Sequence, residues 1–178
     1  KEEKSEILEG IKGNETILAV SEWKRERLII LLYDQLQQKT YVRNVILKGK
    51  PTDYSPDVRN LNIQVPNGSK MVASNGKIFI VTQNGVSEFT GKALNVIFTW
   101  SNVGDLQQSV AYGNKVASLF YNKQNQSIIL IGNQVITEFK QVMDIDFYDE
   151  NHLLVLDFRN LYLFNIETKE KVLLSDLA

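Results

Sequence analysis

Apolar residues along this chain gather in short runs separated by polar turn residues, and no stretch of twelve residues keeps a clean helical period. The pattern is clearest between Met143 and Leu174. There, Met-Asp-Ile-Asp-Phe-Tyr, His-Leu-Leu-Val-Leu, Leu-Tyr-Leu-Phe and Lys-Val-Leu-Leu are interrupted by Asp149-Glu150-Asn151, Arg159-Asn160 and Glu167-Thr168-Lys169-Glu170. Each run has the length of a strand and each interruption has the chemistry of a turn. Four such strands make one antiparallel unit.

Three earlier stretches repeat the plan. Thr16–Val20, Leu28–Tyr33, Thr40–Leu47 and Leu61–Val65 form a first unit; Leu28-Ile29-Ile30-Leu31-Leu32 is apolar without alternation, as in a strand buried on both faces. A second unit runs through Asn75-Gly76 and Asn84-Gly85, dipeptides that favour the positive φ of tight hairpins. A third starts at Ser109 and turns at Gly113-Asn114, at Asn122–Gln126 and at Gly132-Asn133. The second strands begin near Arg25, Lys77, Lys115 and His152, roughly 52, 38 and 37 residues apart, against roughly 40 to 45 for a propeller blade. The expectation is an all-β, propeller-like chain of about four four-stranded antiparallel blades, at 15–66, 70–100, 109–140 and 143–175. The segment 1–14 precedes them as a short helical turn or as an outer strand of an adjoining blade.

Composition narrows the function. With 20 Lys+Arg against 21 Asp+Glu the net charge is −1, so the basic excess of a nucleic-acid-binding domain is missing and no nucleic-acid contact is expected. No cysteine is present, which removes disulfides and thiolate chemistry. No apolar run approaches the roughly 20 residues needed to cross a bilayer as a helix. The chain opens on Lys1 without a charged-then-apolar leader, which fits a piece of a longer product or a cleaved one. Sequons at Asn14, Asn67 and Asn125 are as many as so much asparagine produces by chance.

Candidate chemistry is sparse. Asp144, Asp146, Asp149, Glu150 and Asn151 offer several oxygens to a hard cation, which takes about six to eight. Their alternation with Ile145 and Phe147, followed by a turn, reads better as strand and loop. His152 is the only histidine and has neither a nucleophile elbow nor a second metal-ligand motif beside it. The glycines fall singly at turns, so no phosphate-cradling loop is formed. No catalytic residue, cofactor or metal is therefore assigned. Two loops stand out instead: Trp23-Lys24-Arg25-Glu26-Arg27, an aromatic among cations at one rim, and the Pro51/Pro56 loop with Tyr54 and Arg59. Trp, Tyr and Arg are enriched where proteins bind proteins. Trp23, Lys24, Arg25, Arg27, Tyr54 and Arg59 are thus the candidate interaction residues; the alternative for Trp23 is an indole folded back on its own blade.

Phe147-Tyr148-Asp149-Glu150-Asn151, Leu153–Leu156 and Asn160–Glu170 together resemble a WD40 repeat, with Phe164-Asn165 in the slot of that family's Trp-Asp. The resemblance covers the fourth unit well, the second and third loosely, and the first by periodicity alone. The opening Gly-His pair is missing and no unit carries Trp-Asp, so the family's His–Asp network is not carried over to these residues. Such repeats imply a propeller, and because many such rings have seven blades, four imply part of a larger ring that further sequence, a partner chain or self-association completes; a complete four-bladed ring is the less usual alternative. The functional expectation is a non-catalytic scaffold binding protein partners in an intracellular complex, in cytoplasm or nucleus. The alternative is an exported bacterial propeller that binds a small ligand or carbohydrate, with or without hydrolase activity.

Overall fold

A computed structural model describes residues 11–24, 27–46 and 62–176, and these are all strands and their connections, with no helix among them. The first sheet contains β1 (Glu15–Lys24), β2 (Arg27–Asp34), β3 (Lys39–Ile46) and β4 (Asn62–Val65). The second contains β5 (Lys70–Ser74), β6 (Lys77–Thr82), β7 (Gly85–Phe89) and β8 (Leu94–Thr99). The third contains β9 (Asp105–Tyr112), β10 (Lys115–Tyr121), β11 (Ser127–Ile131) and β12 (Gln134–Ile136), and the fourth β13 (Val142–Asp149), β14 (His152–Asp157), β15 (Asn160–Asn165) and β16 (Lys171–Asp176). Every sheet is an antiparallel meander in chain order, which is the construction of a propeller blade. The all-β, four-bladed expectation holds.

The blades stack because their second strands are apolar on both faces. In each blade, alternate residues of that strand point to the following blade (here the leading face) and to the preceding one (the trailing face). Ile29, Leu31 and Val42 on the leading face of blade 1 share one core with Ile78, Ile80 and Phe89 of blade 2. Phe79, Val81 and Val86 of blade 2 meet Val116 of blade 3. Ala117, Leu119 and Ile129 of blade 3 meet Ile145, Leu153, Val155 and Phe164 of blade 4. The first strands β1, β5, β9 and β13 sit side by side in that order, each against the next. Burial between sheets, at about 25 cal/mol per Å², holds the array together.

Local rules set the turns. Asn75 and Gly76 both take positive φ, 51° and 70°, as the β5–β6 hairpin requires. At Asn84-Gly85 the turn falls one residue earlier than the dipeptide suggests, on Gln83-Asn84, and Gly85 already belongs to β7. Glycine is required there for another reason: a Cβ would lie 2.2 Å from the carbonyl oxygen of Phe98. The third blade starts at Asp105 rather than Ser109. The polar residues Gln107 and Gln108 hide that part of the strand from a hydrophobic pattern.

The two ends of the array differ. On the trailing face of blade 1, Ile30, Leu32 and Val45 are buried, with Ile11, Leu28 and Tyr41 packed against them. On the leading face of blade 4, cross-strand register brings Leu154 opposite Leu163 and Leu156 opposite Leu161, with Val172 beside Leu163. These four leucines are half-buried and Val172 is exposed. Among the described residues, the two end faces share no core cluster.

Candidate functional site

The rim residues are placed as follows. Trp23 sits at a register shift of β1, between Glu22 and Lys24, and such a bulge re-aims its side chain. It packs edge-on against Phe89 of blade 2, centroids 5.1 Å apart at 76°, and joins the core between blades 1 and 2. Gly91 leaves room for it: a Cβ there would lie 2.5 Å from the indole, and Gly91 also holds a φ of 95°. The indole is thus folded back, with the Lys24 ammonium above it, 4.4 Å from the ring centroid. Lys24 is exposed and Arg27 partly so. Arg25, Tyr54 and Arg59 lie outside the described residues.

The acidic run of blade 4 is absorbed by backbone and neighbours. Asp144 Oδ1 accepts from the Gln108 amide at 2.6 Å and from the Ile145 N–H at 3.0 Å. Asp146 Oδ1 accepts the Phe147 N–H. Asp149 accepts the Asn151 N–H at 2.8 Å and faces His152 Nδ1 at 2.9 Å; these bonds, the backbone one foremost, hold its carboxyl below the usual range. His152 Nε2 lies 3.2 Å from the Asn165 amide, so Asp149, His152 and Asn165 form one chain across three strands. No three His, Asp or Glu side chains gather into a metal-binding group among the described residues.

Two other surfaces are built by the fold. Between blades 2 and 3 the β6–β7 turn, the β8–β9 connection and the β10–β11 loop enclose an open cleft of about 560 Å³. Gln83, Asn84, Asn102, Asp105, Asn122 and Lys123 line it, an amide-rich wall, although Asn122 Oδ1 is spent on the N–H groups of Gln124 and Gln126. The second surface is the leading face of blade 4. Its middle is Leu154, Leu156, Leu161, Leu163 and Val172; Asp144 and Asp146 flank it on β13, and the Asp149–His152–Asn165 chain closes one end.

Sequence reasoning missed that second surface. Leu154 and Leu156 look like any other apolar strand residues, and only the stacking order shows that no described blade lies against them. It also missed Gln108, which clips blade 3 to blade 4: its amide donates to the Ile145 carbonyl and accepts the Ile145 N–H, both at 3.2 Å. Nearby, the Ser127 hydroxyl accepts the Val142 N–H and the Tyr121 hydroxyl donates to the Val142 carbonyl.

No protein-family model matches this chain, and no curated protein matches it either.

Proposed function

We propose that this chain is a non-catalytic, WD40-like propeller segment that scaffolds an intracellular multiprotein complex and whose ring a partner completes. One observation carries the reading: the leading face of blade 4 has the aliphatic make-up of the faces buried inside the array, yet lies partly open. A contiguous apolar surface rimmed by polar groups is characteristic of a protein contact. The exposed cation of Lys24 at the rim adds a polar contact of the kind that steers association rather than supplying affinity. The test is the mass of the native particle. In extracts fractionated by size, the full-length protein is expected in a particle heavier than its own chain, and the double variant Leu154→Asp, Leu163→Asp is expected to leave it. A wild-type protein that migrates at its own mass would remove this reading.

The amide-lined cleft favours a second reading, a small-ligand or carbohydrate site. Side-chain amides pair with hydroxyl groups as both donors and acceptors. Screening the chain against a glycan array, with Gln83→Ala as the control, separates the two: saturable binding lost in the variant supports the cleft.

A further inference from the structure

One rim of the array carries cations that the fold does not use. The β2–β3, β6–β7, β10–β11 and β14–β15 turns share this rim with the connections between blades, because each blade is a meander and the first strands lie side by side. Lys39, Lys123, Lys140 and Arg159 are exposed there, and among the described residues none of the four is in an ion pair. The described carboxylates of the same rim are engaged. Asp34 accepts the N–H groups of Leu36 and Gln37, and Asp157 those of Lys140 and Gln141. Glu15 is paired with Arg43, and Asp105 faces the Gln83 amide.

Between blades 3 and 4 this rim holds a second cleft, of about 460 Å³. Ile128 and Phe139 form its apolar part, and Asn122, Gln126, Thr137 and Lys140 its polar part. The hydrogen bonds fix which atoms it offers. Asn122 Oδ1 accepts the N–H groups of Gln124 and Gln126, both at 2.9 Å, so the Asn122 nitrogen is the atom that donates to Gln126 Oε1. Gln126 is left with its NH2 unengaged. Together with the Thr137 hydroxyl and the Lys140 ammonium, the wall has a surplus of donors and one positive charge. A carboxylate, which only accepts, matches that surplus.

Phe158 stands next to this cleft. Its N–H is bonded to the carbonyl of Gln141, the neighbour of Lys140, at 2.8 Å. It holds a φ of 54° in the two-residue β14–β15 turn, a conformation that glycine takes freely and a bulky residue does not. Its ring is nevertheless 57% exposed, with the Arg159 guanidinium 5.2 Å from the centroid. Backbone strain kept at an exposed aromatic beside cations is characteristic of a binding contact.

We infer that the rim of blades 3 and 4 docks an acidic, extended peptide segment of a partner protein. An Asp or Glu of that segment enters the cleft against Gln126 and Lys140, and an apolar side chain lies on Phe158. This gives the scaffold read above a partner of stated chemistry, and rests on that reading, but it uses a surface separate from the leading face of blade 4. The cations continue past the cleft, to Lys123 on the side of blade 2 and to Arg159 on blade 4, so an extended segment meets more of them than a small molecule does. A nucleic acid fits less well, since its phosphates call for many cations and the chain has no basic excess.

The test selects short peptides from a random phage-displayed library on the full-length protein and follows the selected peptide by fluorescence anisotropy. The expected peptides carry Asp or Glu close to an aliphatic or aromatic residue, and their binding weakens as salt is raised. Lys140→Glu and Phe158→Gly should each weaken binding by about tenfold or more. Phe158→Gly should leave the melting temperature unchanged or raised, because glycine relieves the turn. Lys92→Glu, the same charge change in the β7–β8 connection at the opposite rim, should have no effect. Selected peptides without acidic residues, acidic peptides indifferent to Lys140→Glu and Phe158→Gly, or no selection at all would overturn the inference. So would a labelled RNA oligonucleotide that displaces the peptide and binds more tightly. None of these results touches the scaffold reading, which falls only if the native particle has the mass of the single chain.

Discussion

The indole of Trp23 stands edge-on to the ring of Phe89, centroids 5.1 Å apart at 76°, so a bulge in blade 1 is keyed into blade 2. Burying a large aromatic and adding an edge-to-face contact both favour this stacking. Trp23→Ala should therefore cost about 3 kcal/mol in chemical denaturation, in the range of large-to-small core changes. Gly91→Ala, which adds a methyl where the indole lies and strains a φ of 95°, should lower the melting temperature as well. A Trp23→Ala variant as stable as the wild type, but defective in binding, would return Trp23 to the interaction surface.

Glu15 and Arg43 give the chain an acid sensitivity. The Glu15 side chain is 1% exposed, and the Arg43 guanidinium, chiefly through its hydrogen bonds, lowers the Glu15 pKa. A carboxylate whose folded pKa is depressed stabilises the fold at pH above its unfolded value, about 4.3, and that contribution is lost as pH falls through the folded value. Glu15→Gln should therefore be less stable than wild type at neutral pH by about 1–3 kcal/mol, because a neutral amide replaces the carboxylate that accepts two charge-assisted bonds from Arg43. The gap should narrow steadily below about pH 4. Urea denaturation at a series of pH values measures it, and a constant gap would contradict the assignment.

Gln108 tests how blades 3 and 4 are joined. Removing its amide with Gln108→Ala leaves the Ile145 N–H and carbonyl without this partner and should cost about 1–3 kcal/mol. Gln108→Glu should cost at least as much, since a carboxylate cannot donate to the Ile145 carbonyl and would sit beside Asp144. If Gln108→Glu is neutral at pH 7, the clip is not holding the interface.

What the sequence revealed and what it hid follow from the range of the interactions. The strand runs Leu28–Leu32 and Leu153–Leu156 and the Asn75-Gly76 turn are set by local burial and local φ, and local patterns report them. The start of β9 was hidden because Gln107 and Gln108 are polar, and the role of Gln108 depends on a partner 37 residues further on. The destination of Trp23 depends on a bulge, which no hydrophobic period records. Tyr54, Arg59 and Arg25 lie outside the described residues, so the structure adds nothing to those three assignments.

Leu119 and Leu156 occupy the same register position in successive blades, opposite Gln108 and Asp144, but Leu119 is buried beneath blade 4 whereas Leu156 faces away from the array. The same substitution should therefore have opposite consequences. Leu119→Lys places an unpaired ammonium in a closed core and should unfold the chain or cost at least about 4 kcal/mol. Leu156→Lys puts the ammonium at a partly open surface, beside Asp144, and should change stability by less than about 1 kcal/mol. It should also reduce the binding of an apolar fluorescent dye to the isolated chain, because it interrupts the leucine platform. Denaturation curves and dye titration of the two variants decide the matter. Equal destabilisation would mean that the leading face of blade 4 is already covered in the free chain, and the contact that completes the array would have to lie elsewhere.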